Sequence, residues 1–186
     1  MGNTVKTDSF ATTYTTEQYA LGSKRVQLAD EVAAYGSGVD TTVSLTDAQK
    51  LMLSGERTWV FVEAAADIAA GSLCKRNADT TPYKAAEDAA SETFKFDLLG
   101  VADHAIASGS YGWIICEGAC VVEAEAGVAA GNLLASDGDN TAGEVDTIAG
   151  TSAGDGNRVI GIALEAEDSG STFGAGYVIA RIDIPA

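Results

Sequence analysis

The residues with the types and spacing for chemistry are few, and each can be weighed against its surroundings. Gly150-Thr151-Ser152-Ala153-Gly154 matches the G-x-S-x-G pattern of a nucleophile elbow. That motif needs a strand-to-helix turn and a histidine later in the chain. Here Asp155-Gly156-Asn157 follows, then a strand-like run, and the one histidine, His104, precedes the serine. A flexible Gly/Ser loop accounts for these residues better than an esterase does. His104 is the sole source of imidazole chemistry, and the position matching it further along the chain holds Glu165.

Asp137-Gly138-Asp139-Asn140 opens like a calcium loop. The full pattern would want Gly and Glu where Ala142 and Ile148 stand, so no metal site is assigned. Glu63 and Glu123 could be taken for a carboxylate pair in general acid–base work, but they are better explained as two outward strand positions. Cys74, Cys116 and Cys120 are an odd set with no disulfide framework and too few partners for zinc. They are expected as reduced, buried, small apolar side chains. No P-loop and no G-x-G-x-x-G is present. The reading is of a protein that is not an enzyme, with no catalytic residue, no cofactor and no metal.

What positions these residues is a repeat. Val60 to Leu73 reads VFVEAAADIAAGSL, and Cys120 to Leu133, about 60 positions later, reads CVVEAEAGVAAGNL. Val62, Glu63, Ala64, Ala66, Ala69, Ala70, Gly71 and Leu73 return as Val122, Glu123, Ala124, Ala126, Ala129, Ala130, Gly131 and Leu133. A second block, LLGVADHAIASGS from Leu98, answers VIGIALEAEDSGS from Val159. Beyond it, Gly112-Trp113-Ile114-Ile115 is matched with Gly176-Tyr177-Val178-Ile179.

Each unit has the form strand, tight turn, strand. Thr58, Val60 and Val62 alternate with Trp59, Phe61 and Glu63 at the strand period of two. Cys120, Val122 and Ala124 share one face; Val121, Glu123 and Glu125 share the other, which should reach water. Val178, Ala180, Ile182 and Ile184 form an apolar face opposite Tyr177, Ile179, Arg181 and Asp183. The Ala-Ala-Gly steps at 69–71 and 129–131 supply turns. Gly100 and Gly161, inside apolar runs, predict bulges or close backbone approach. Loops from Lys75 to Phe94 and from Ser136 to Asn157 should be surface excursions or short hairpins.

A lone unit has open edges and half a core, whereas two can close on each other. The expected fold is therefore all-β: a barrel or β-tulip-like module from two pseudo-symmetric repeats, about 58–118 and 119–186, within a domain at 57–186. Residues 1–56 should form an extended N-terminal arm and one short helix, signalled by the capping box Thr46-Asp47-Ala48-Gln49 with Gly55 as its stop. Threonines punctuated by Phe10 and Tyr14 give the arm no helical pattern, and such an arm lies either on its own barrel or on a neighbouring chain.

Composition narrows the partners. Asp and Glu number 27 against 11 Lys and Arg, for a formal charge of −16, and no basic stripe relieves it. Such a surface repels phosphate backbones, so nucleic acid is not expected, and it resists aggregation. No apolar run approaches the roughly 18 residues of a membrane span. Met1-Gly2-Asn3-Thr4-Val5 lacks a signal-peptide pattern, so synthesis in a cytoplasm without Sec export is expected.

Tyr19-Ala20-Leu21-Gly22-Ser23-Lys24-Arg25-Val26, Trp59-Val60-Phe61-Val62, Ile68-Ala69-Ala70-Gly71, Leu99-Gly100-Val101-Ala102 and Ala107-Ser108-Gly109 with Gly112-Trp113 form a series. In this the chain resembles capsid decoration, or cement, proteins of tailed bacteriophages. The resemblance implies a β-module, often a trimer, on the outer capsid surface, bound to the major capsid protein and carrying no catalytic residues. It makes the protein a structural virion component assembled in the host cytoplasm. Phe10, Tyr14 and Tyr19 are then the expected aromatic anchors to shell or neighbour, since aromatic anchors concentrate binding energy. The other reading is a tail-associated or host-surface module, binding glycans through Trp113 or Tyr177 and the acidic loops.

Overall fold

A computed structural model describes residues 10–28, 45–77, 81–88, 97–136, 142–148, 159–167 and 176–184. Within them lie strands β1 (Lys24–Gln27), β2 (Arg57–Ala64), β3 (Leu73–Arg76), β4 (Lys84–Glu87) and β5 (Leu98–Val101). After these come β6 (Tyr111–Glu123), β7 (Leu133–Ser136), β8 (Val145–Thr147), β9 (Gly161–Ala163) and β10 (Tyr177–Asp183). One short helix, α1 (Asp47–Met52), precedes β2. The fold is all-β, and the strands follow one another as β1-β2-β4-β3-β5-β6-β10-β9-β7-β8.

Pairing of β2 with β6 closes the first five strands after β1 into a barrel. Its interior holds alternate residues of each strand: Val60, Val62 and Ala64 from β2, Cys74 from β3, Leu99 from β5, Ile114 and Cys116 from β6. This is the period-two rule acting on a closed surface. The second half of β6 then pairs with β10 along its length, and β9, β7 and β8 continue the sheet. A parallel bridge from Ala124 to Val145 brings β8 back beside the end of β6. Cys120, Val122, Leu134, Val145, Val178, Ala180 and Ile182 line the inside of this second curl.

The two halves share their pairings. Cys74 stands opposite Glu87 and Arg76 opposite Ala85; Leu134 stands opposite Thr147 and Ser136 opposite Val145. Leu73 faces Val101 as Leu133 faces Ile162. The parallel contact of Ala64 with Ala85 has its like in Ala124 with Val145. One expected correspondence shifts. Tyr111 opposes Glu63 and Tyr177 opposes Glu123, so Tyr177 occupies the place of Tyr111 rather than of Trp113. A two-residue slip keeps every side chain on its face, which is why alternation alone did not reveal it.

The two glycines inside apolar runs are required by close approach. A Cβ on Gly100 would lie 2.4 Å from the Ile115 carbonyl oxygen, and one on Gly161 would lie 2.3 Å from that of Arg181. Leu73–Arg76 with Lys84–Glu87 and Leu133–Ser136 with Val145–Thr147 are the short hairpins expected of the loops.

Helix α1 begins at the expected capping box. The Gln49 N–H donates to the Thr46 hydroxyl at 3.2 Å, and the Thr46 N–H donates to Gln49 Oε1 at 3.0 Å. Its last turn, with Leu53 as C-cap, packs on Val121 and Ile179. That contact corrects one expectation in part: Val121 does not reach water, because α1 covers it, while Glu123 and Glu125 on the same face stay half-exposed.

A candidate contact surface along the N-terminal strap

Residues 10–28 run as a strap over the outer wall of the first barrel. Two forces hold it. Backbone pairing comes first: β1 lies antiparallel on β2, with Lys24 opposite Val60 and Gln27 opposite Arg57. The Gly22 N–H donates to the Phe61 carbonyl at 2.9 Å, and the Phe61 N–H donates to the Ser23 carbonyl at 2.9 Å. Tyr14 and Tyr111 exchange two N–H···O bonds of 2.8 Å.

Aromatic packing is the second force. Trp59, Phe61 and Trp113 point out of the barrel, and the strap covers them. Phe10 stacks on Trp59 at 4.6 Å between centroids, and Tyr19 stands edge-on to Trp113 at 5.0 Å and to Phe61 at 5.2 Å. The Arg25 guanidinium lies 4.7 Å from the centre of the Phe10 ring, a cation–π contact in a desolvated place. The buried Gln27 side chain accepts from Trp59 Nε1–H at 2.9 Å. The strap therefore covers a wall that would otherwise expose three large rings.

The same strap carries the expected anchors. Phe10 is buried in the core, and Tyr14 and Tyr19 are half-buried against it. Their rings fasten the strap to its own barrel, and the outward side of the strap is Thr13, Thr15, Thr16, Glu17, Gln18, Val26 and Leu28. Val26 and Leu28 are 57% and 50% exposed, apolar groups left facing water. Arg25, Val26 and Leu28 were not singled out from sequence, because nothing in their spacing separates them from the strand around them.

The remaining candidates do not converge. Glu63 makes an ion pair of 3.4 Å with Lys84. Glu123 has its pKa raised, first by burial and then by Glu144 and Glu87. His104 is buried, and neither ring nitrogen has a hydrogen-bond partner among the described residues; burial lowers its pKa to about 4. Cys74, Cys116 and Cys120 are free buried thiols, and burial pushes Cys120 up to about 12. Such thiols are poor nucleophiles and poor ligands. Among the described residues no group of three or more His, Cys, Asp or Glu is placed to hold a metal ion. Ser152 and the Asp137–Asn140 loop lie outside the described residues. Trp113 is fully buried and offers no face to a sugar, while the Tyr177 ring packs beside Gly71 and the α1 contact.

No curated protein matches the chain in sequence. Among solved structures, the head fiber gp8.5 N base of bacteriophage phi29 aligns over 67% of this chain and 92% of its own. It does so at 18% identity and a TM-score of 0.45. The sequence profile of the phage cement proteins matches residues 39–178, most of both β halves together with α1. The chain belongs to the phage cement protein family.

Proposed function

We propose that the protein binds the outer surface of a phage capsid, with the major capsid protein as its partner, and cements or decorates the shell. Membership of the cement family gives the coarser statement, a capsid-associated structural role in the virion. The observation that carries the finer reading is the strap. It is fixed to the barrel by the rings of Phe10, Tyr14 and Tyr19 and leaves Thr16, Glu17, Gln18, Lys24, Val26 and Leu28 exposed. Two exposed apolar groups beside polar and oppositely charged ones (Glu17 and Lys24), on a protein of charge −16, suit a protein interface and oppose nucleic acid. A homo-oligomer, trimeric by resemblance, and the absence of catalysis are parts of the same proposal. In this reading Phe10, Tyr14 and Tyr19 act as the fasteners that hold the contact edge in shape.

The test separates contact from fastening. Val26→Ser with Leu28→Ser should lower occupancy on capsids lacking the protein at least ten-fold, with the thermal midpoint unchanged. Phe10→Ala should lower the stability of the strap by about 3 kcal/mol, as for other buried Phe truncations. Full occupancy by the Val26/Leu28 variant would refute the strap as the contact edge. A copy number on the scale of one tail rather than of the capsid subunits would refute the shell.

A further inference from the structure

A charge taken out of water is normally paired, and Arg57 departs from that rule. As the first residue of β2 it is 2% exposed. Its stem lies across Gly118 of β6, where a Cβ would stand 3.0 Å from Arg57 Cγ. One terminal nitrogen donates to the Leu53 carbonyl at the end of α1, at 3.3 Å. Nε is enclosed and has no acceptor. Among the described residues no carboxylate makes an ion pair with this guanidinium. Glu56, beside it in the chain, is exposed, and Glu117 accepts from the Thr58 hydroxyl at 3.2 Å. Cys120 feels the charge, but burial holds that thiol up at about 12 against the pull of Arg57, so no thiolate balances it.

Gln27 stands opposite Arg57 across the β1–β2 pair, so the two side chains share a face. It is fully buried; its Oε1 accepts from Trp59, and its Nε2 amide has no acceptor. Paired residues therefore leave an amide N–H and a guanidinium N–H enclosed and unmatched. An unmade buried donor is costly, and a buried charge without a counter-charge more so. The carbonyl at the helix end favours a cation, but it meets one donor and brings no full charge. The place is also one that solvent can reach. β1 has four residues and ends the strand order, and Gln27 is its last, so fraying of that end opens the pair without disturbing β2 on β6.

We propose that Arg57 and Gln27 form an anion site that takes one carboxylate. A carboxylate only accepts, and its two oxygens serve the Arg57 Nε–H and the Gln27 amide N–H together. Its single negative charge balances the single guanidinium, which a water molecule does not. Nucleic-acid phosphate is opposed by the charge of −16 around the site. The site stands apart from the contact edge of the strap. Val26 and Leu28, on either side of Gln27, are exposed on the other face of β1, as strand alternation requires. The carboxylate is either free in solution or carried on an Asp or Glu side chain of the shell; the recognition chemistry is the same.

Nitrogen-edited proton NMR of the full chain, titrated with sodium formate at constant ionic strength, tests the proposal. In the wild type the Arg57 Nε–H and Gln27 side-chain amide signals should move along one saturable curve. In Arg57→Met the Gln27 signal should stay in place. Arg57→Lys, which keeps the charge and loses the Nε–H, should bind formate at least three-fold more weakly, and so should Gln27→Met; these two serve if Arg57→Met does not fold. Wild-type signals that stay still, or drift linearly without saturating, overturn the proposal. So does a saturable curve that the variants leave unchanged. Capsids lacking the protein then separate the two sources. Formate that competes with wild-type occupancy assigns the carboxylate to the shell, and occupancy indifferent to formate assigns it to solution; both results support the site. The titration uses the free chain, so its failure leaves the strap reading intact, and failure of the Val26/Leu28 test leaves this site intact.

Discussion

His104 is buried without a partner for either ring nitrogen, and its pKa is lowered from 6.5 to about 4 by that burial. The linkage has one sign. An unfolded chain takes up a proton on this ring as pH falls below 6.5, while the folded chain resists until about 4, so stability is lost across that window on acidification. The full loss from this one group is about 3 kcal/mol, at ~1.4 kcal/mol per pH unit. Chemical denaturation at several pH values should show His104→Leu with a shallower slope than wild type between pH 6.5 and 4. Equal slopes would refute it. Glu123 acts in the opposite sense: its raised pKa loses stability as pH rises through that value, so only the difference between variant and wild type isolates the histidine. From sequence, His104 was readable as the sole imidazole, at a position that the second repeat fills with Glu165; its burial was not, because it depends on the β6 backbone at Gly112 lying against the ring.

At the scale of elements, the strands, hairpins and turns followed from alternation and glycine spacing, because these are local properties of the backbone. Cys120, Val122 and Ala124 point inward as their period requires, and the capping box places α1. The faces that looked outward were harder. Trp59, Phe61 and Trp113 lie under the strap and Val121 lies under α1, through contacts between segments far apart in sequence that no local period records. For the same reason the anchors Phe10, Tyr14 and Tyr19 were legible as aromatic contacts, but the sequence left open whether the arm lies on its own barrel or on a neighbour. The glycines make the sharpest element-scale test. Gly100→Ala would push a methyl group into the Ile115 carbonyl across the β5–β6 pair, and Gly161→Ala would do the same to Arg181 across β9–β10. Each should cost at least about 2 kcal/mol of stability by overpacking. Thermal unfolding at the wild-type midpoint would remove this account.

Across the whole molecule, a formal charge of −16 goes with a few exposed apolar side chains, Val26 and Leu28 on the strap and Leu133, Ile148, Val159 and Ile162 on the second half. What ties the halves into one body is β6, whose 13 residues pair with β2 in its first half and with β10 in its second. A strand held in common is also a load-bearing tie rod. Tension applied to either half passes along a continuous backbone flanked by antiparallel hydrogen bonds, and β6 runs unbroken from one half into the other. Pulled by its ends in a single-molecule force experiment, the chain should give way in one rupture rather than two. Such stiffness suits the proposed role of a part fixed to a shell.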